Sequence, residues 1–170
     1  LAIAGQMAGV IGIGADGMAV TPYDSWLDTR CSPYIEQMCR HKAAVLEKTG
    51  NAPSFNHGPK ILWWKHERPE VYERIEVFVQ PAAYVAMRLC GLTAAEAFID
   101  PTYLHFSGFA DNRAQRWDAS LCQLFDVRRT KLPRIVSSET VVGAVTPAIA
   151  TECGLRSGTP VLAGCGDTAA

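Results

Sequence analysis

Residues 159–170 read TPVLAGCGDTAA, and this stretch decides which fold the chain adopts. A short apolar strand at residues 161–163 leads into Asp167. Gly164 and Gly166 allow a sharp turn there and the close approach of a ligand. Residues 168–170 are typical of the first turn of a helix, whose N-terminus attracts phosphate. Taken alone, these residues fit two roles for Asp167 equally well: a catalytic base or a helix N-cap.

The composition is that of a globular protein. Hydrophobic residues make up 48% of the chain, charged residues make up 19%, and the net charge is −1. This balance allows one domain with a real core, and the absence of a basic surplus disfavours nucleic-acid binding. No apolar run approaches the ~18 residues that cross a bilayer. We therefore expect neither a nucleic acid nor a membrane as a partner.

The cysteines and histidines lack the spacing of disulfide frameworks and metal sites. There is no CxxC pair, which predicts reduced, mostly buried thiols in a cytoplasmic protein. There is no HxxxH or paired Cys/His spacing, so no metal site is expected and each histidine is interpreted as a surface or structural residue. The residues concerned are Cys31, Cys39, Cys90, Cys122, Cys153 and Cys165, and His41, His57, His66 and His105.

Strand and helix patterns alternate along the chain with short turns between them. This alternation predicts an α/β domain in which helices flank a mixed sheet. Strands are expected at residues 1–4, 10–13, 18–20, 77–79, 143–146 and 161–163. A helix is expected at residues 32–49, with Ser32 as its N-cap and Gly50 just past its end. Two more begin at residues 59 and 81 and stop at Pro69 and Gly91. Further helices are expected at 71–75, at 118–126, and at 147–153 before Gly154. Residues 100–112 are expected to form an ordered loop, and Trp63 and Trp64 to pack in the core.

Residues 12–17, GIGADG, match the dinucleotide-binding pattern GxGxxG. That pattern requires a helix to begin at the glycines, whereas Asp16-Gly17 is a strong hairpin signal and Pro22 follows closely. We therefore predict a turn here, and an NAD-dependent enzyme is the weaker interpretation.

A segment with a polar side chain follows each of two predicted strands, near the two ends of the chain. Gln6 and Met7 come after the first strand, and Asp167 comes after the last. Ligands of α/β sheets bind at the carboxyl ends of strands. These residues therefore indicate a single cleft.

Several separated blocks make the chain resemble the FGGY carbohydrate kinases, most closely the xylulokinase-like branch. The resemblance covers nearly all 170 residues, and the blocks occur in the family's order. They are residues 5–9 (GQMAG), 26–30 (WLDTR), 58–63 (GPKILW), 117–118 (WD), 132–133 (LP) with Gly143 downstream, and 158–167 (GTPVLAGCGD).

The resemblance implies an actin-like, ribonuclease H-like ATPase fold. Because the chain begins inside a strand pattern and ends where a helix should start, we expect residues 1–170 to be an incomplete N-terminal sugar-binding domain. The family's phosphate loop and its C-terminal ATP domain would lie elsewhere. A homodimer is left open.

The implied reaction is phosphorylation of a sugar or polyol hydroxyl by ATP with Mg²⁺, and Asp167 matches the family's general base. The expected substrate is a ketose such as xylulose or a close relative. A catalytically silent sugar-binding domain of the same fold is the alternative, because fold does not fix function.

The resemblance also implies a set of site residues. Short polar groups and an indole suit polyol recognition, although an Asp28–Arg30 ion pair and core packing of Trp26 and Met7 are the simpler interpretations. Ala8 stands where histidine is usual, which predicts a substrate whose hydroxyl is absent, inverted or displaced at that point. The expected substrate-binding residues are Gln6, Met7, Ala8, Trp26, Asp28 and Asn56, and those near the phosphate are Gly166 and Thr168.

Overall fold

The computed structural model describes residues 1–170 as an α/β domain with eight α-helices and ten short strands. The helices are α1 (Ser32–Cys39), α2 (Lys42–Thr49), α3 (His57–Glu67), α4 (Pro69–Arg74), α5 (Pro81–Cys90), α6 (Leu104–Ser107), α7 (Ala119–Leu124) and α8 (Pro147–Cys153). The strands are β1 (Ala4–Gly5), β2 (Ile11–Ile13), β3 (Val77–Val79), β4 (Phe98–Ile99), β5 (Ala110–Asp111), β6 (Arg116–Trp117), β7 (Arg134–Ile135), β8 (Val141–Ala144), β9 (Pro160–Leu162) and β10 (Cys165–Gly166). The predicted fold class is confirmed. None of these helices combines the length and the apolar character needed to cross a membrane.

The strands pair in five two-stranded ladders, of which two are parallel and three are antiparallel. β1 runs parallel to β10, with Ala4 opposite Cys165 and Gly5 opposite Gly166. β2 pairs antiparallel with β3, and β8 with β9. The pairing is therefore mixed, as predicted, and it places the two ends of the chain side by side.

Three hydrophobic clusters form the core. One contains Met38, Leu62 and Trp64, and Trp63 packs against it, so the tryptophan pair does belong to the core. The second lies between α5, α8 and the strands β2, β3 and β9. The third is smaller and joins Met7 to Tyr103 and its neighbours. This third cluster supports the region where β1 and β10 end.

The helix predicted at residues 32–49 is interrupted. α1 ends before Arg40, and His41 leaves the helical conformation with φ −117° and ψ 25° before α2 begins. The bend allows α2 to pack against α6 and β5. Ser32 does not act as the N-cap either, because its hydroxyl donates to the carbonyl of Thr29 at 2.6 Å.

The segment predicted as a loop at residues 100–112 is partly helical. Asp100 caps a 3₁₀ turn at Pro101–Tyr103 by accepting the backbone N–H of Thr102 at 2.9 Å, and α6 follows directly. Two helical pieces of three and four residues are too short to show a helical period in the sequence.

The turn predicted at Asp16-Gly17 is present. Gly17 has φ +77°, and the N–H of Gly14 donates to the carbonyl of Met18 at 2.9 Å. The returning segment makes only one bridge, Ile13 to Ala19, and the regular partner of β2 is β3. No helix begins at the glycines, which rules out the geometry of a dinucleotide-binding loop.

The cysteines are all free, but fewer of them are buried than the sequence predicts. Only Cys31 and Cys122 are buried, whereas Cys39 and Cys153 are exposed.

Gly164 and Gly154 offer a matched test of the turn that leads into β10. Both have positive φ, +74° and +66°, so alanine strains the backbone at either position. A methyl group at Gly164 would also overlap the carbonyl oxygen of Ile3, whereas Gly154 faces open space. We expect Gly154→Ala to lower the free energy of unfolding by about 1 kcal/mol and Gly164→Ala to lower it by ~3 kcal/mol or more. Urea unfolding of the full-length variants measures both, and equal losses would contradict this account.

Candidate functional site

A single pocket lies at the end of the β1–β10 ladder. Gln6 follows β1 and Asp167 follows β10, and because the strands are parallel both residues leave the same edge. The pocket has a volume of about 410 Å³. Its lining residues are Gln6, Met7, Ala8, Trp26, Phe106, Asp167 and Thr168.

The structure brings most of the predicted site residues together in this pocket. Asp28, Asn56 and Gly166 do not line it, although Gly166 directly precedes Asp167. Phe106 also lines the pocket, and only the irregular pattern of residues 100–112 marks its position in the sequence. The substrate-binding roles of all these residues stay predictions.

The Gln6 amide fixes the wall formed by residues 23–26. Oriented to satisfy both of its ends, the amide oxygen accepts the indole N–H of Trp26 at 2.9 Å and its backbone N–H at 3.2 Å. The amide nitrogen donates to the hydroxyl of Tyr23. The second N–H of the amide has no partner in the protein. Trp26 itself is 57% exposed, so it is not a core residue.

Asp28 is engaged by Arg30. Its carboxylate accepts the Arg30 Nε–H at 2.9 and 3.0 Å, and this pair holds the pKa of Asp28 below its usual value. The Arg30 guanidinium also lies over the ring of Trp63, 4.1 Å from its centroid. In this structure Asp28 therefore supports the loop that carries Trp26.

Two buried basic residues of α3 hold the segment around Asn56 next to the pocket. Lys60 Nζ donates to the carbonyl of Phe55 at 2.7 Å. His57 Nε2 donates to the carbonyl of Met7 at 2.5 Å, and its other ring nitrogen has no partner. His57 is thus a structural rather than a surface histidine. Burial lowers its pKa to about 4. Asn56 is buried between these contacts, at the start of α3.

Met7 serves both as core and as pocket wall. It is 7% exposed, and its side chain packs so closely on Gly166 that a Cβ there would lie 2.7 Å from the Met7 methyl carbon. The hydroxyl of Thr168 also contacts the Met7 sulfur at 2.7 Å. The turn that follows β10 therefore packs against the side chain of Met7.

The Asp167 carboxylate is exposed at the pocket, and no protein group donates a hydrogen bond to it. The turn that follows is a single 3₁₀ turn, Asp167–Ala169, whose N-cap is Gly166 and which has no side-chain cap. Gly166 therefore holds the N-cap position in place of Asp167, and the first helical turn predicted at residues 168–170 is this 3₁₀ turn. The negative charge of Asp167 acts on Tyr23, whose pKa is raised to about 12 by burial first and by Asp167 second.

The residues of the pocket do not make a magnesium site by themselves. Mg²⁺ prefers several oxygen ligands at short distance. No three His, Cys, Asp or Glu side chains lie close enough together to hold a metal ion, and Asp167 is the one carboxylate of the pocket.

The structure is thus an α/β domain with a free carboxylate beside an amide and an indole at its strand ends, and comparison with known proteins identifies its family. Residues 1–170 match the model of the FGGY family of carbohydrate kinases, N-terminal domain. The xylulose kinase of Escherichia coli K12 is 30% identical over 172 residues, which cover 100% of this chain and 34% of that protein. The autoinducer-2 kinase of Klebsiella pneumoniae is 30% identical over 146 residues, which cover 83% and 27%.

The solved structures agree with this assignment. The xylulose kinase of Rhodospirillum rubrum superposes with a TM-score of 0.87 at 25% identity, over 98% of this chain and 34% of that chain. The chain belongs to the FGGY family of carbohydrate kinases, and the expected fold is confirmed. It spans about a third of the length of the curated relatives it matches.

His57 gives a pH test of the contact that holds Met7. The pKa of His57 is about 4 in the folded protein and near 6.5 in the unfolded chain. The unfolded state therefore binds the proton first, and stability is lost as the pH falls from 6.5 towards 4. We expect the wild type to lose about 1.4 kcal/mol per pH unit in this window relative to His57→Gln.

Urea unfolding of the full-length protein at pH 7, 5.5 and 4.5 measures this difference. His66→Gln, at the exposed end of the same helix, controls for the substitution itself. Parallel pH profiles for the wild type and His57→Gln would contradict the account.

Proposed function

We propose that the protein transfers the γ-phosphoryl group of ATP to a hydroxyl of a small sugar or polyol, with Asp167 as the general base. Two findings support this: membership of the FGGY family and the position of Asp167. The single observation that carries the assignment is a carboxylate with no hydrogen-bond donor of its own, exposed in a pocket of about 410 Å³ beside Gln6.

An aliphatic hydroxyl is a poor nucleophile at neutral pH. A carboxylate within hydrogen-bond reach orients the hydroxyl and accepts its proton as the new O–P bond forms and the bond to the leaving ADP breaks. Because no donor in the protein occupies the Asp167 carboxylate, both of its oxygens are open to a bound hydroxyl. The remaining N–H of Gln6 would bind a second oxygen of the same substrate.

ATP and Mg²⁺ enter this proposal through the family. When bound, the metal would neutralise charge on the transferring phosphoryl group. Gly166 and Thr168, which flank Asp167, are the residues we expect near that phosphate. We propose that most of the nucleotide site lies outside residues 1–170, since the relatives are about three times as long.

The walls of the pocket favour a short substrate with an apolar side. Met7, Ala8, Trp26 and Phe106 line the pocket, and only Gln6, Asp167 and Thr168 add polar side chains. Ala8 is half-buried and offers a methyl group where the xylulokinase-like relatives usually have an imidazole. We propose a pentulose, a tetrulose or a related polyol that lacks or inverts the hydroxyl at this point.

We also propose that the reaction takes place in the cytoplasm, where six free thiols stay reduced. A homodimer remains a prediction.

Asp167→Asn tests the reaction and the base together. The amide keeps the size of the side chain but cannot accept the proton, so we expect kcat of the full-length protein to fall by about 10²–10⁴-fold. Coupled ADP detection with a panel of ketoses and polyols measures it. Asp126→Asn is the matched control, because Asp126 lies outside the pocket and pairs only with Lys65 at the surface.

Near-normal turnover by a folded Asp167→Asn variant would remove Asp167 as the base. Sugar binding by calorimetry without ADP formation in the wild type would instead favour the silent sugar-binding domain.

Ala8→His tests the substrate class. An imidazole at this position restores a hydrogen-bonding group, so we expect kcat/KM for D-xylulose to rise about tenfold relative to the substrate the wild type prefers. Ala8→Leu adds bulk without a polar group and is the control. The view that Ala8 shifts specificity fails if the wild type already prefers D-xylulose clearly over the rest of the panel.

A further inference from the structure

The Tyr103 hydroxyl connects the two strands that carry the site. Its one hydrogen is shared between the carbonyl of Gly5, 2.9 Å from the hydroxyl oxygen, and the carbonyl of Cys165, at 3.2 Å. Gly5 immediately precedes Gln6, and Cys165 lies two residues before Asp167. Tyr103 is 2% exposed, so water does not compete for these bonds.

Thr102, the neighbour of Tyr103, holds the residue just before Asp167. Its hydroxyl oxygen accepts the backbone N–H of Gly166 at 2.8 Å. The same hydroxyl donates its hydrogen to Asp100 Oδ1 at 2.7 Å. Asp100 is 3% exposed, and its Oδ1 is fixed in turn by the Thr102 N–H at 2.9 Å and the Ser138 hydroxyl at 3.1 Å. Since the hydroxyl hydrogen points at Asp100, a lone pair of the oxygen is directed at Gly166.

These bonds matter because no protein group holds the Asp167 side chain directly. Its carboxylate accepts no hydrogen bond, so its position depends on the backbone of residues 164–166. The bonds of Thr102 and Tyr103 to Gly166 and Cys165 fix that backbone, together with the N–H of Cys165 donating to Ile3 and the N–H of Gly164 donating to Ser138. The two side chains differ in reach: Thr102 contacts only the Asp167 side, whereas Tyr103 contacts the Gln6 side as well.

We propose that Thr102, aligned by Asp100, is a positioning residue for Asp167, and that Tyr103 is a positioning residue for both Asp167 and Gln6. The inference rests on the proposed function, in which Asp167 is the base and Gln6 binds the sugar. It assigns a role to the segment at residues 100–103 that its sequence pattern did not indicate.

Thr102 bonds to one strand end and Tyr103 to both, so their variants should differ in kcat and KM. The test uses the full-length enzyme with its preferred sugar. Thr102→Val keeps the shape but removes both hydrogen bonds of the hydroxyl. We expect kcat to fall about tenfold or more, with KM for the sugar changed less than about twofold. Thr102→Ser restores the hydroxyl and should recover most of kcat. Tyr103→Phe should lower kcat and also raise KM, because it releases both strand ends.

Two variants elsewhere control for the substitutions. Thr151→Val removes a hydroxyl that bonds only within α8, to the carbonyl of Pro147. Tyr34→Phe removes a hydroxyl that bonds to Glu67, the last residue of α3. Both should keep kcat and KM within about twofold of the wild type.

The results of these variants distinguish a failure of the positioning role from a failure of the proposed function. If Asp167→Asn is inactive while Thr102→Val keeps full kcat, the positioning role is overturned and the proposed function stands. A merely structural role is shown if Thr102→Val and Thr102→Ser lose activity and thermal stability together. If Asp167→Asn is fully active, the proposed function fails first, and the inference fails with it.

Discussion

The parallel pairing of Ala4–Gly5 with Cys165–Gly166 is the constraint on which the pocket depends. The two segments come from opposite ends of the chain, and closing so long a loop costs conformational entropy. Several contacts hold the pair together: the N–H of Cys165 donates to the carbonyl of Ile3 at 3.2 Å, and the Tyr103 hydroxyl bridges both strands. Gln6 and Asp167 are therefore neighbours only in the folded domain.

The polar residues around the pocket divide into fixed and free groups. Gln6 is bonded to Trp26 and Tyr23, and Asp28 is bonded to Arg30, so these side chains shape the wall. Asp167 accepts no such bond. Keeping the supporting bonds on the backbone around Asp167 leaves its carboxylate free to bind a hydroxyl.

Local turn chemistry predicted the helix ends well. Gly50, Gly91 and Gly154 all have positive φ just past α2, α5 and α8, as expected of C-terminal glycines. Prediction failed where distant contacts compete with the local pattern. The apolar spacing of residues 32–49 suits one helix, yet the chain bends at His41 and α2 packs against α6 and β5. The short helical pieces of residues 101–107 have too few residues to show a period.

The sequence by itself determined the α/β class, the family, and the position of Asp167 directly after a strand, because these depend on composition, glycine turns and the order of short motifs. Only the tertiary structure decided which polar side chains face the pocket, leaving Asp28 paired with Arg30 and adding Phe106. It also decided what holds the turn at Asp167. Thr102 and Tyr103 bind backbone groups 64 and 98 positions away, and hydrogen bonds over such separations leave no pattern in a single sequence.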